Sequence, residues 1–123
     1  ASTARASAAL PAQLQPFVRH CAACHDTREA APPGFLNGNA DAVQRNLARC
    51  AERIAYRLAM WEQPPQARAR VPMPPPLLNG VAAVAPPPAE IAQMREYVAQ
   101  FARAAAQRDV PYEALAPCRT DTQ

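Results

Sequence analysis

The chain has 123 residues, enough for one domain with a modest core. Half of the residues are hydrophobic, but many are alanine and only Phe17, Phe35, Tyr56, Trp61, Tyr97, Phe101 and Tyr112 are aromatic, so the fold gains from something bulky and apolar to pack around. The formal charge is only +3, with arginine as the sole strong base and no dense basic run, which argues against nucleic acid as a partner.

No apolar run approaches the ~20 residues of a membrane span, and no signal peptide is visible. The opening ASTARASAA, residues 1–9, reads as a flexible tether. A helix is predicted over 11–24, PAQLQPFVRHCAAC, where Leu14, Phe17, Val18 and Cys21 share one face. A second is predicted over 40–61, with Asn39 or Asp41 as its cap. Its apolar series is Val43, Leu47, Cys50, Ile54, Leu58 and Trp61, spaced by three or four throughout. The third begins after the prolines at 86–88; Pro88 suits a first turn and Glu90 its positive end. Ile91, Met94, Val98 and Phe101 then line one side, with Tyr97 flanking. No alternating strand pattern of useful length occurs, so the expected class is all-α. The 15 prolines stand mostly between these periodic segments and read as stiff loops. EQPPQARARVPMPPPLLNG, between the second and third helices, has no periodicity, and loops of this length usually serve a function.

Both histidines and two of the four cysteines crowd into HCAACHD, residues 20–26. Cys21-Ala22-Ala23-Cys24-His25 is C-x-x-C-H, the attachment signature of c-type haem. Two cysteines three apart on a helical turn can each form a thioether to a haem vinyl group, and the following His25 then lies beneath the iron as proximal ligand. A redox dithiol usually follows a strand in a βαβ context, which this pattern lacks. A zinc site drawing on Cys21, Cys24, His25 and a distant cysteine is the other alternative, with no second close pair to support it.

With these features in order the chain resembles the small, class I monohaem cytochromes c, over roughly residues 10–105. The helix holding Phe17 precedes C-x-x-C-H; APPGFLNG, 31–38, is similar to the family's Gly-Pro-x-Leu-x-Gly turn; VPMPPP supplies a methionine among prolines; and the helix around Tyr97 closes the domain. The resemblance implies a cytochrome c-like fold of three main helices and long loops wrapped around one haem c, bound through Cys21 and Cys24. One departure is Gln13, where the family commonly has a glycine at the crossing of first and last helices; the crossing is expected to be wider or shifted.

For the distal iron ligand, Met73 is favoured because Pro72 and Pro74–Pro76 restrict its backbone beforehand. Met60 is the competitor, Met94 reads as core filler, and His20, on the proximal helix, as a surface histidine. A His/Met pair raises the reduction potential and leaves iron six-coordinate, which suits outer-sphere electron transfer. A carbonyl at Pro32 or Pro33 is expected to accept the His25 Nδ1–H bond. Trp61 resembles the family's tryptophan that donates to a haem propionate, with a core role as the alternative.

Haem c is attached outside the cytoplasm, where disulfides persist, so Cys50 and Cys118 are expected to form one bridge that pins the tail, 106–123, back onto the second helix; the alternative is one buried free thiol and one exposed thiol that dimerises or joins a neighbour. Arg45, Arg49, Arg53 and Arg57 recur every four residues. They form either a steering face for an acidic redox partner or a solvated face balanced by Glu52 or a haem propionate. The resulting expectation is a periplasmic or otherwise extracytoplasmic electron carrier, not itself an enzyme, serving redox-protein donor and acceptor partners that are acidic or membrane-bound. The alternatives are a cytochrome domain of a larger redox enzyme or membrane complex, and a haem sensor with a labile distal ligand.

Overall fold

The structure is a computed structural model and describes residues 10–28, 32–78, 80–103 and 110–120. The tether at 1–9 and the tail residues 106–109 and 121–123 lie outside these. The fold is mostly helical. A 3-10 turn, Ala12–Leu14, runs into α1, Gln15–His25. Helix α2 spans Ala40–Ala59 and tightens into a 3-10 turn at Met60–Glu62. Helix α3 spans Pro88–Ala99. Between α2 and α3 the chain makes a 3-10 turn at Pro65–Ala67 and a two-residue antiparallel ladder, β1 Leu77–Leu78 with β2 Val81–Ala82. The predicted structureless stretch thus carries a little local order. No helix among the described residues is long and apolar enough to cross a membrane.

Each helix begins where its local chemistry allows. Asn39 caps α2, its side-chain oxygen accepting from Ala42 N at 2.9 Å, and Asp41 sits in the first turn near the positive end of the dipole. Pro16 and Pro88 occupy first turns of α1 and α3, where a missing N–H costs nothing. Helix α3 packs against both α2 and α1. Leu14, Phe17, Val43, Leu47, Met94 and Val98 are fully buried between them, and the Phe17 ring meets Tyr97 edge-on at 5.9 Å. Met94 is core, as its place on the helix face suggests.

Two side chains depart from expectation. Phe101 lies beyond the end of α3 and is 43% exposed, while Tyr97 takes the buried place. At the helix end the Gln100 side chain folds back to donate to Tyr97 O at 2.9 Å, and Phe101 N donates to Val98 O at 3.0 Å. Phe101 then rests against the outer edge of Tyr97. Gln13, at the family's glycine position, is exposed in the 3-10 turn, and its carbonyl accepts from Gln93 Nε2 at 3.4 Å.

The C-terminal segment returns to α2 through a Cys50–Cys118 disulfide. Closing a loop of 68 residues lowers the entropy of the unfolded chain by an amount worth about 4 kcal/mol. Beside it Leu115 is buried, and Glu52 is only 6% exposed. Glu52 accepts from Arg103 Nε at 2.7 Å, Arg103 Nη2 at 2.8 Å and Ala116 N at 2.8 Å. Glu52 thus ties Arg103 and the returning segment to α2. The cause is helical phase: its side chain faces the returning segment.

The Arg103 fork and two backbone N–H groups hold the Glu52 carboxyl at about 2, against an ordinary 4.5. A depressed folded pKa contributes stability above the unfolded value that is lost as pH falls through about 4.5 towards 2. Glu52→Gln should be less stable than the parent by about 2 kcal/mol at pH 7, with the gap closing near pH 2. Urea unfolding at the two pH values measures it; a pH-independent gap would contradict the assignment.

Candidate functional site

One cavity of about 380 Å³ opens between α1, α2, the Met73 loop and the C-terminal segment. Its lining joins Cys21, Cys24 and His25 from α1, Pro32, Pro33 and Phe35 from the following turn, and Ile54 and Leu58 from α2. Met73, Pro74 and Pro75 come from the loop and Tyr112 from the tail. The volume lies in the range of small-molecule and cofactor sites, and the walls are chiefly apolar.

The C-x-x-C-H run forms the last turn of α1, so Cys21, Cys24 and His25 reach the cavity from one helical turn. The chain then reverses: Asp26 N closes on Ala22 O at 3.1 Å, and Leu36 N donates to His25 O at 3.0 Å. This return brings the Pro33 carbonyl to 2.8 Å from His25 Nδ1. A carbonyl only accepts, so Nδ1 carries the proton and Nε2 keeps its lone pair. Phe35 stacks on the imidazole with ring centroids 4.3 Å apart, which fixes its plane. Burial lowers the His25 pKa, opposed by the bond to Pro33, which favours a neutral, coordinating imidazole. Gly34 is tucked beneath the Thr27 carbonyl, and a Cβ there would run into that oxygen.

Burial, and secondarily Cys24, push the Cys21 thiol up to about 12. Among the described residues no three His, Cys, Asp or Glu side chains form a group able to hold a metal ion.

Met73 lines the cavity; Met60 and Met94 do not. The Met73 backbone is tied to α2 in both directions: Met73 N donates to Arg57 O at 3.3 Å, and Arg57 Nη1 donates to Val71 O at 2.9 Å. The Met73–Pro74 peptide bond is cis. Met60 instead belongs to the turn ending α2, where its carbonyl accepts from Arg68 Nε at 2.8 Å. Trp61 packs against the core, is crossed by Arg68 at 5.2 Å and stays outside the lining, but its indole N–H is buried without a partner. His20 is not a plain surface histidine. It is half-buried, lines the cavity, and its Nε2 meets Glu90 Oε1 at 3.0 Å, beside the Arg19–Glu90 ion pair.

These residues fit a large apolar cofactor with polar acid groups. Two sulfurs, a neutral imidazole and a thioether converge on one apolar cavity, and orphaned N–H donors of Arg53 and Arg57 lie on its α2 side. Sequence reasoning missed Phe35, Arg53, Arg57 and Tyr112 as site residues. Phe35 was accessible through its place in the turn after C-x-x-C-H; Tyr112 had no local signal, since only the returning tail brings it in. The chain matches no known family model, no curated protein and no solved structure.

Gly34→Ala should cost about 3 kcal/mol, because backbone must move. Gly80→Ala, at positive φ but in open space, should cost only about 1 kcal/mol. Chemical denaturation of the two variants compares them; equal costs would contradict the close approach at Thr27.

Proposed function

We propose that the chain is a single-electron carrier that holds one haem c in this cavity, working outside the cytoplasm. The observation that carries the reading is the meeting of Cys21, Cys24 and a tautomer-locked His25 with Met73 around one apolar cavity. Cys21 and Cys24 would hold the group through thioether bonds, each thiol adding its S–H across a vinyl C=C so that no atom leaves. His25 offers Nε2 to the iron, and the Pro33 carbonyl raises its basicity. Met73 offers its thioether from a loop stiffened by Pro72, Pro74 and Pro75 and tied to Arg57. The bound group supplies an iron that changes oxidation state by one electron without a substrate entering.

The protein's own contribution is to keep that change cheap. Apolar walls exclude water, and fixed ligands need not move when charge changes. The disulfide between Cys50 and Cys118 accords with an oxidising compartment. The partners on this reading are a redox-protein donor and acceptor, with the exposed Arg45 and Arg49 adding positive charge on the outer half of the ridge that would steer an acidic one.

The test is the visible spectrum of protein produced together with a haem-attachment system. Met73→Ala should abolish the methionine–iron band and let the reduced protein bind carbon monoxide readily. Met60→Ala should retain the band and resist carbon monoxide. The reverse pattern would transfer the ligand to Met60, and ready carbon monoxide binding by the parent would favour a sensor.

A further inference from the structure

Three of the four cysteines face one space. Cys21 and Cys24 line the cavity from α1 as free thiols. Cys118 lines it from the C-terminal segment, bridged to the buried Cys50 of α2. Chain statistics alone would pair them otherwise. The chance of closing a loop falls with roughly the 3/2 power of its length, so an unfolded chain brings Cys21 to Cys24 on the order of 100-fold more readily than it closes the 68-residue separation of Cys50 and Cys118. The fold carries the less probable bond.

Two features reverse the preference. Residues three apart on an α-helix hold their Cβ atoms about 5–6 Å apart, whereas a disulfide needs about 3.5–4.5 Å. A Cys21–Cys24 bond would therefore unwind the last turn of α1, and with it the bond from Asp26 N to Ala22 O and the seat of His25 on Pro33. On the other side, the tail docks onto α2 through contacts that bring Cys118 to Cys50. Leu115 is buried, and its carbonyl accepts from Arg53 at 3.3 Å. Ala116 N donates to Glu52 at 2.8 Å. Tyr112 meets Tyr56 edge-on with ring centres 5.1 Å apart, and the Arg57 guanidinium lies 4.8 Å from the Tyr112 ring centre.

We propose that Cys50 and Cys118 are an internal reductant for Cys21 and Cys24: a disulfide formed first between the adjacent pair is handed on to the distant pair as the tail docks. The use of that transfer rests on the haem reading above, since a thiol adds across a vinyl group only while it carries its hydrogen; the transfer itself needs no haem. The Cys118 thiolate attacks one sulfur of the Cys21–Cys24 bond. A mixed disulfide forms, and the other sulfur leaves as a thiolate that takes up the proton Cys118 gave up. Cys50 then attacks the Cys118 sulfur, forming the Cys50–Cys118 bond and releasing the second sulfur, which takes the proton of Cys50. Two electrons pass from one pair to the other, and nothing outside the chain is oxidised or reduced. The shared cavity gives the mixed disulfide a place to form before a cofactor fills it.

The test follows the full chain without haem. Reduced chain is oxidised in concentrated urea with a stoichiometric amount of oxidised glutathione, when Cys21–Cys24 should predominate. Urea is then diluted away without added thiol, samples are quenched in acid, and alkylation with peptide mass mapping reads each bond. The Cys21–Cys24 form should fall about tenfold or more as Cys50–Cys118 appears, at a rate independent of protein concentration. Cys118→Ser should keep the Cys21–Cys24 bond under the same treatment, and Tyr112→Leu, which loosens the docked tail, should lessen the conversion. A Cys21–Cys24 bond that persists in the parent, or a rate that rises with protein concentration, would overturn the transfer. In a haem-attachment system under oxidising conditions, Cys50→Ser/Cys118→Ser should lose about tenfold in covalent haem, and an added dithiol should restore it. A loss that the dithiol does not restore is a folding defect and would overturn the reductant role, as would no loss. Covalent haem in a parent that shows no transfer would overturn the transfer alone. A parent that completes the transfer yet takes no covalent haem would remove the functional reading and leave the transfer standing.

Discussion

The bond from His25 Nδ1–H to the Pro33 carbonyl is the constraint on which the rest of the site depends. To form it, the chain must end a helix at His25 and come back within eight residues. Leu36 N on His25 O closes the return, and Gly34 permits the approach to Thr27 that no side chain would. Phe35 then lands on the imidazole face. Helix end and turn are one mechanical unit. Its outcome is chemical: a neutral ring with one defined lone pair, set beside two cysteines of the same helical turn.

The opposite part of the cavity is assembled from two segments distant in sequence, and α2 is their common support. Its carbonyl at Arg57 anchors Met73, the Arg57 side chain anchors Val71, and Arg53 and Glu52 receive the C-terminal segment. Cys50 fixes that segment covalently. One helix therefore sets the relation between the methionine loop and the tail. A disturbance at Glu52 or at the disulfide, both away from the sulfur and imidazole ligands, is transmitted to the wall that carries Tyr112.

The helices were largely legible because each announces itself by period and by cap: Val43, Leu47 and Cys50 with Asn39 for α2, Pro88 and Glu90 for α3. The end of α3 was not, since a side chain folding onto Tyr97 O leaves no periodic mark, and Phe101 falls on the same stripe whether or not the helix continues. Within the site, the meeting of Cys21, Cys24 and His25 is local and so readable from spacing, whereas the choice of Pro33 over Pro32 depends on how the turn closes. Met73 could be argued only from its prolines. Tyr112 and the fixed forks of Arg53 and Arg57 depend on contacts across more than fifty residues, which no local pattern encodes. The ridge of four arginines is the instructive case. Its even spacing suggests one face with one role, while the structure leaves Arg45 and Arg49 exposed and commits Arg53 and Arg57 to the cavity.

The central claim is that the paired sulfurs of α1 carry a porphyrin through carbon–sulfur bonds. Intact mass of the protein after denaturation in acidified acetone tests it most directly. The account predicts a coloured polypeptide heavier than the bare chain by one haem, with neither Cys21 nor Cys24 available to a thiol reagent. A colourless chain of polypeptide mass with both thiols free would contradict it.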